Sequence, residues 1–136
     1  MIAEFRGTYG FLSNMSYSPI TIGGVHYFCA EAAFQAVKLA DKSARKQFEM
    51  LTGPEAKRLG RKVPLRPDWE TIKVDVMRWI VAEKFRQNPE MRIRLLMTGH
   101  HELVEGNTWN DTFWGVCNGV GQNWLGKILM EYRDSI

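Results

Sequence analysis

The sequence predicts a single α+β domain over residues 1–136, with several helices packed around a small set of short strands. Three observations carry that prediction. Helical periodicity runs through three stretches, near residues 30–39, 68–87 and 123–133. Strand-like patterning is confined to short runs between turn residues. The chain shows no internal repeat, linker or low-complexity tract, and at 136 residues it is long enough for one core without staples.

Each element has a local reason. Residues near Ile2 to Arg6 alternate enough for a short strand, and Gly7 to Asn14 reads as a loop. Ile20–Ile22 and Val25–Phe28 flank Gly23-Gly24, a hairpin signal. A helix from about Ala30 to Leu39 follows, and a second is expected over Ser43–Leu51. Thr52-Gly-Pro-Glu55 is a capping box opening a short helix that Gly60 ends. Pro64 and Pro67 bracket a connector. Asp68 is placed to cap a long helix to about Gln87, with Ile72, Val76 and Ile80 on its core face. Asn88-Pro89 opens a further helix ending at Thr98-Gly99. Glu102–Glu105 reads as a short strand, and a Gly-rich loop, Gly115–Gly121, leads into a last helix from about Asn123 to Arg133.

Composition narrows the class. Apolar residues make up 45%, with five Trp and seven Phe, which is globular rather than disordered. The N-terminus has no charged-then-apolar leader pattern and no apolar run approaches membrane-spanning length, so no membrane association is expected. Cys29 and Cys117 form no CxxC or zinc spacing, and a cytoplasmic protein with reduced thiols is the natural reading. No His, Cys or carboxylate cluster suggests a metal, and neither metal nor cofactor is expected. Between Lys38 and Arg66 nine Lys or Arg stand against three acids, net +6, leaving −3 for the rest. That segment is either a solvated helical surface or a basic wall facing phosphate.

Four constellations carry candidate chemistry. Glu31, Gln35 and Lys38 recur at i, i+4 and i+7 on a helix whose other positions, Ala30, Ala32, Ala33, Phe34, Ala36 and Val37, are apolar. A carboxylate, an amide and an amine then share one stripe of a largely buried helix, which is either a site wall or a solvated pair on a surface helix. The loop Tyr9-Gly10-Phe11-Leu12-Ser13-Asn14 offers small polar groups and aromatics able to stack on a flat ring; its ordinary reading is a connection. Asp111-Thr-Phe-Trp114-Gly115 sets a carboxylate three residues before a Trp, with a plain turn as its ordinary reading. The Gly115–Gly121 loop before a helix offers backbone N–H groups to an anion, or is a connector.

In order and spacing these pieces resemble the NADAR family, also called YbiA-like. The matching stretches are Tyr9-Gly-Phe-Leu-Ser-Asn14, Ser18-Pro19-Ile20, Glu31-x-x-Phe34-Gln35-Ala36-x-Lys38 and Glu55-Ala-Lys-Arg-Leu-Gly-Arg61. They continue through Trp69-x-x-x-Lys73, Val76-Met77, Lys84-Phe85, Leu95-Leu96-x-Thr98-Gly99 and Leu103-Val104-Glu105. The last are Asp111-x-x-Trp114-Gly115 and Asn123-x-Leu-Gly-Lys-Ile-Leu-Met-Glu-x-Arg133. Two positions depart from the family pattern: Ala32 stands where His is frequent, and Val116 where Asp is frequent. Both bear on substrate preference.

The resemblance implies an N-glycosidase with an α+β fold, cleaving an N-glycosidic bond to ribose. One branch of the family hydrolyses phosphorylated ribosylamino-pyrimidine intermediates of riboflavin biosynthesis. Another removes ADP-ribose from guanine bases or nucleosides. The functional residues it implies are Glu31, Lys38, Asp111 and Trp114. The chemistry suits these residue types: a carboxylate stabilises positive charge at the anomeric carbon, and a carboxylic acid protonates the leaving nitrogen. Glu31 and Asp111 are candidates to divide those roles. A lysine amine of depressed pKa can hold a ring-opened sugar as a Schiff base, and desolvation beside Lys42 is one way to depress Lys38. Trp114, Tyr9 or Phe11 would stack on the base; Arg58, Arg61 or the Gly119–Gly121 backbone would hold phosphate. The expected substrate is thus a small phosphorylated ribosyl compound. An ADP-ribose glycohydrolase, including one acting on nucleic acid, and a non-catalytic ADP-ribose or nucleotide-binding module are the alternatives. Nucleic acid is disfavoured because Asp41, Glu49 and Glu55 interleave the basic segment.

Overall fold

The structure, a computed structural model, describes all residues from Met1 to Ile136. The chain forms an α+β fold of helices with four very short strands. It divides into two compact units: residues 14–88, and residues 1–13 together with 89–136.

The unit of residues 14–88 begins with a hairpin, β1 (Ile20–Ile22) against β2 (Val25–Tyr27), pairing Ile20 with Tyr27 and Ile22 with Val25. Gly23 and Gly24 both take positive φ, +57° and +78°, as a two-residue turn of this hand requires. Helix α1 (Ala30–Val37) follows, and every one of its residues is buried. It stops two residues before the expected Leu39. Arg66 supplies the reason: its backbone N–H donates to the Lys38 carbonyl at 2.9 Å and its guanidinium to the Val37 carbonyl at 3.4 Å, satisfying groups a further turn would have used.

The helix expected over Ser43–Leu51 is instead a 3-10 run, Lys42–Phe48. Asp41 tightens its start by accepting the Ser43 N–H at 3.0 Å, and Met50 sits in the left-handed region with φ +59°, which ends the run. The capping box is present at α2 (Gly53–Gly60): Thr52 accepts from the Glu55 N–H and Glu55 accepts from the Thr52 N–H. Gly60 is there for closeness: a Cβ would lie 1.9 Å from Gln35 Oε1. Helix α3 (Trp69–Gln87) has the expected length, but Asp68 does not cap it with its side chain. That carboxylate pairs with the Arg66 guanidinium at 2.7 Å. The buried face of α3 is Trp69, Val76, Met77, Ile80, Val81, Lys84 and Phe85, while Ile72 is only half-buried. Phe34 of α1 meets Trp69 of α3 with ring centroids 5.0 Å apart.

The other unit departs further from expectation. Ile2–Arg6 is not a strand: Ile2 and Phe5 are buried and the residues between them exposed, a spacing of three rather than two. Ile2 makes a single parallel bridge to Leu103. Glu102–Glu105 is likewise no strand, because Asn123 accepts the Glu105 N–H and donates to the Leu103 carbonyl, both at 2.9 Å. Gly7–Leu12 winds into a 3-10 turn rather than an open loop. Helix α4 (Pro89–Met97) starts at its proline and ends before Gly99 at φ +62°. Two-residue strands β3 (Gly106–Asn107) and β4 (Val116–Cys117) pair in parallel, and α5 (Trp124–Ser135) closes the chain. No helix is long and apolar enough to cross a membrane.

Candidate active site

The polar stripe of α1 lies inside its unit. Glu31 is 8% exposed and Gln35 5%, so these two members of the stripe are buried rather than solvated. Glu31 opens the first turn, where a carboxylate is favoured by the helix dipole, and its N–H donates to the Asn14 carbonyl at 3.0 Å. Gln35 Nε2 donates to Glu31 Oε1 at 3.1 Å. Gln35 Oε1 is buried with no hydrogen-bond partner, an acceptor facing Gly60. Asn14 also reaches α3, its amide donating to Met77 Sδ at 3.4 Å.

Lys38 caps α1 and is half-buried, its Nζ 6.0 Å from the centre of the Trp69 ring. Burial holds its ammonium below the ordinary lysine value of 10.5; the Glu31 carboxylate opposes this, and Arg61 and Lys57 add to it. The neighbouring cations are therefore Arg61 and Lys57 of the α2 end. Lys42, named from sequence for this part, stands exposed and does not contribute. Arg58 and Arg61 are exposed and Lys57 is half-buried.

Lys84, which the sequence matched as part of a motif without assigning it a role, is 1% exposed. Burial pushes its ammonium down to about 7, while the Cys29 thiol raises it. Its signal was in the pattern: Lys84 continues the stripe Val76, Ile80 by steps of four, an apolar face ended by an amine.

The remaining candidates lie in the unit of residues 1–13 and 89–136. Asp111 is half-buried and builds a turn. Its Oδ1 accepts the N–H of Phe113 at 3.1 Å and of Trp114 at 2.9 Å, and its backbone exchanges two hydrogen bonds with the Asn107 side chain. The Asp-x-x-Trp spacing is thus a capping relation. Trp114 is half-buried and meets Phe113 edge-on at 4.8 Å. Gly115 is dictated by space: a Cβ would strike Glu105 Oε2. Tyr9 is exposed, while Gly10 and Ser13 are half-buried. Phe11 is buried with the Arg94 guanidinium 5.0 Å from its ring centre, so one face of that ring is already taken.

The Gly-rich loop is folded back on itself by backbone hydrogen bonds. The N–H groups of Cys117, Val120, Gln122 and Asn123 donate to carbonyls within the same segment and its neighbours, and Asn118 and Gly119 form a tight positive-φ turn. No group of three or more His, Cys, Asp or Glu converges to hold a metal ion.

The NADAR domain model matches residues 3–136. The chain is 41% identical over 132 residues to N-glycosidase YbiA of Shigella flexneri serotype 5b (strain 8401), covering 94% of this chain and 82% of that protein. It is 40% identical over 134 residues to a riboflavin biosynthesis protein of Vibrio vulnificus (strain YJ016), of which it spans 36%. The solution structure of E. coli YbiA superposes with a TM-score of 0.85 at 38% identity, over 99% of this chain and 84% of that one. The sequence motifs, the α+β fold and these relatives agree: the chain belongs to the NADAR family.

Proposed function

We propose that this N-glycosidase of the NADAR family hydrolyses the bond between ribose and nitrogen in a small phosphorylated ribosylamino compound of the kind found in riboflavin biosynthesis. The observation that carries the reading is the stripe of buried Glu31 and Gln35 with half-buried Lys38, and Lys57 and Arg61 within electrostatic reach of Lys38. A buried carboxylate and a half-buried amine of depressed proton affinity along one helix stripe are the groups this reaction needs, and exposed guanidinium beside them suits a phosphate.

In the proposed sequence the ribosylamine ring opens, leaving an imine at C1. The neutral Lys38 amine adds to C1, a proton passes to the departing nitrogen, and the amine of the base leaves. C1 is then held as a Lys38 imine. Water adds to it, the C–N bond to Lys38 breaks, and the sugar phosphate departs as its aldehyde with the lysine amine restored. Glu31 stabilises the cationic iminium at both stages, and Gln35 fixes the carboxylate. Asp111 is assigned the proton delivered to the leaving nitrogen, and Trp114 the base, through the family motif they belong to. The basic segment is partly neutralised, since Arg66 pairs with Asp68, which favours a small anion over a polymer. The test is release of sugar phosphate from a ribosylaminouracil phosphate by purified protein, beside ADP-ribosylated guanosine. Turnover of the second substrate alone would replace this reading with the ADP-ribose one.

A further inference from the structure

Two ionisable side chains are buried in the unit of residues 14–88, one acidic and one basic: Glu31 and Lys84. They sit on packed helices whose contacts fix the alignment. At one end Lys38 and Phe34 of α1 meet Trp69, the first residue of α3. Towards the other, the Glu31 N–H binds the Asn14 carbonyl while the Asn14 amide reaches Met77, so α1 runs back along α3 and its head points towards the Lys84 end. Cys29, the N-cap of α1 and fully buried, has its thiol pKa raised chiefly by burial, with the Glu31 carboxylate raising it further and Lys84 lowering it.

A cation at the head of a helix is opposed by the helix dipole, and a buried cation survives only with an anion to share the site. The titratable groups at this end of α1 are its N-cap Cys29, whose thiol acts on Lys84, and Glu31 of its first turn, with Lys38 a further two turns along; β1, also packed on α3, carries none. Gln35 donates to one Glu31 oxygen, a bond that an ionised carboxylate accepts well.

Resting on the glycosidase reading above, we infer that Lys84 is a positioning residue for the reaction: its buried ammonium stands at the head of α1 and holds the Glu31 carboxylate ionised and in place. It acts through Glu31 and needs no contact with substrate.

The test compares K84M, K84R, E31Q and the double variant E31Q/K84M of the full chain. K84M strands the carboxylate, so the expected result is a lower melting temperature that E31Q partly restores when added to it. A double variant no more stable than the two single losses added together overturns the inference. The ¹³C-carboxyl titration of Glu31 is expected to move up in K84M by a tenfold or greater change in proton affinity, and to stay near the wild-type midpoint in K84R. An unmoved midpoint in K84M overturns the inference. If K84M does not fold, K84R and the double variant still report the coupling. In turnover, the acid limb of the kcat profile should move to higher pH in K84M while KM changes little. If the wild type turns over no ribosylamine, the proposed function fails, but the stability cycle and the Glu31 titration still decide the role of Lys84. Borohydride trapping of sugar on Lys84 would make it a nucleophile and overturn the positioning role.

Discussion

Gln35 donates its amide to Glu31 across 3.1 Å, one turn along α1, and turns its carbonyl oxygen towards Gly60, where no protein donor meets it. Glu31 is thereby held as an acceptor in a nearly solvent-free place, and Gln35 keeps an unused acceptor beside it. A buried acceptor without a donor is uncommon and costs stability unless something serves it. This pair is the centre of the account.

E31Q should remove turnover by at least about a hundredfold, the lower range for a group acting as acid, base or charge stabiliser. The variant keeps size and a hydrogen-bonding oxygen but not ionisation, so its circular dichroism should match wild type. Near-wild-type kcat/KM with an intact fold would make Glu31 structural.

G60A should destabilise the fold by about 1–3 kcal/mol, the usual cost of overpacking. The added carbon would lie 1.9 Å from Gln35 Oε1, so Gln35 must shift and release Glu31. Urea unfolding measures the first effect and kcat the second. A stable, fully active G60A would show that Gln35 is not held where the stripe needs it.

Borohydride added during turnover should trap sugar on Lys38, read as a mass shift on the peptide that contains it. Because burial lowers the proton affinity of Lys38, its neutral form grows at a pH below the 10.5 of a free lysine, and the rate should climb with pH on a limb centred below that value. Lys38 titration, followed by NMR of the lysine carbons, should move down further in E31Q and up in R61A, since Glu31 raises and Arg61 lowers it. An active enzyme that yields no adduct would assign the attack to water.

D111A should lose about 1 kcal/mol, as loss of a capping oxygen typically does, because Oδ1 holds the N–H groups of Phe113 and Trp114. D111N retains that oxygen and should keep wild-type stability. Turnover separates the roles: D111N is expected to be inactive if Asp111 supplies the proton, and active if it only builds the turn.

Much of the fold was legible because its signals are local. The Thr52–Glu55 capping box, the Gly23-Gly24 turn and the Pro89 helix start each depend on residues a few positions apart. The expectations that failed depend on distant partners. Arg66 ends α1, Asn123 takes the backbone groups that would have made Glu102–Glu105 a strand, and Asp68 turns to Arg66 instead of capping α3. Spacing put Glu31, Gln35 and Lys38 on one stripe, but only packing shows that Glu31 and Gln35 are buried and Lys38 half-buried. Asp111 shows the reverse: the motif marked it, and the structure reveals a turn-building function that spacing of three also explains. Lys84 was readable as an amine ending an apolar stripe, and its burial gives that pattern its meaning.

Release of sugar phosphate from a ribosylaminouracil phosphate, assayed for wild type and E31Q at several salt concentrations beside ADP-ribosylated guanosine and modified DNA, tests the central claim most directly. Wild type is expected to cleave the small ribosylamine and E31Q is not, with binding that depends only weakly on salt. Cleavage confined to the ADP-ribosylated substrates, with affinity for DNA falling at a log–log slope of about −0.9 per phosphate contacted, would contradict that claim.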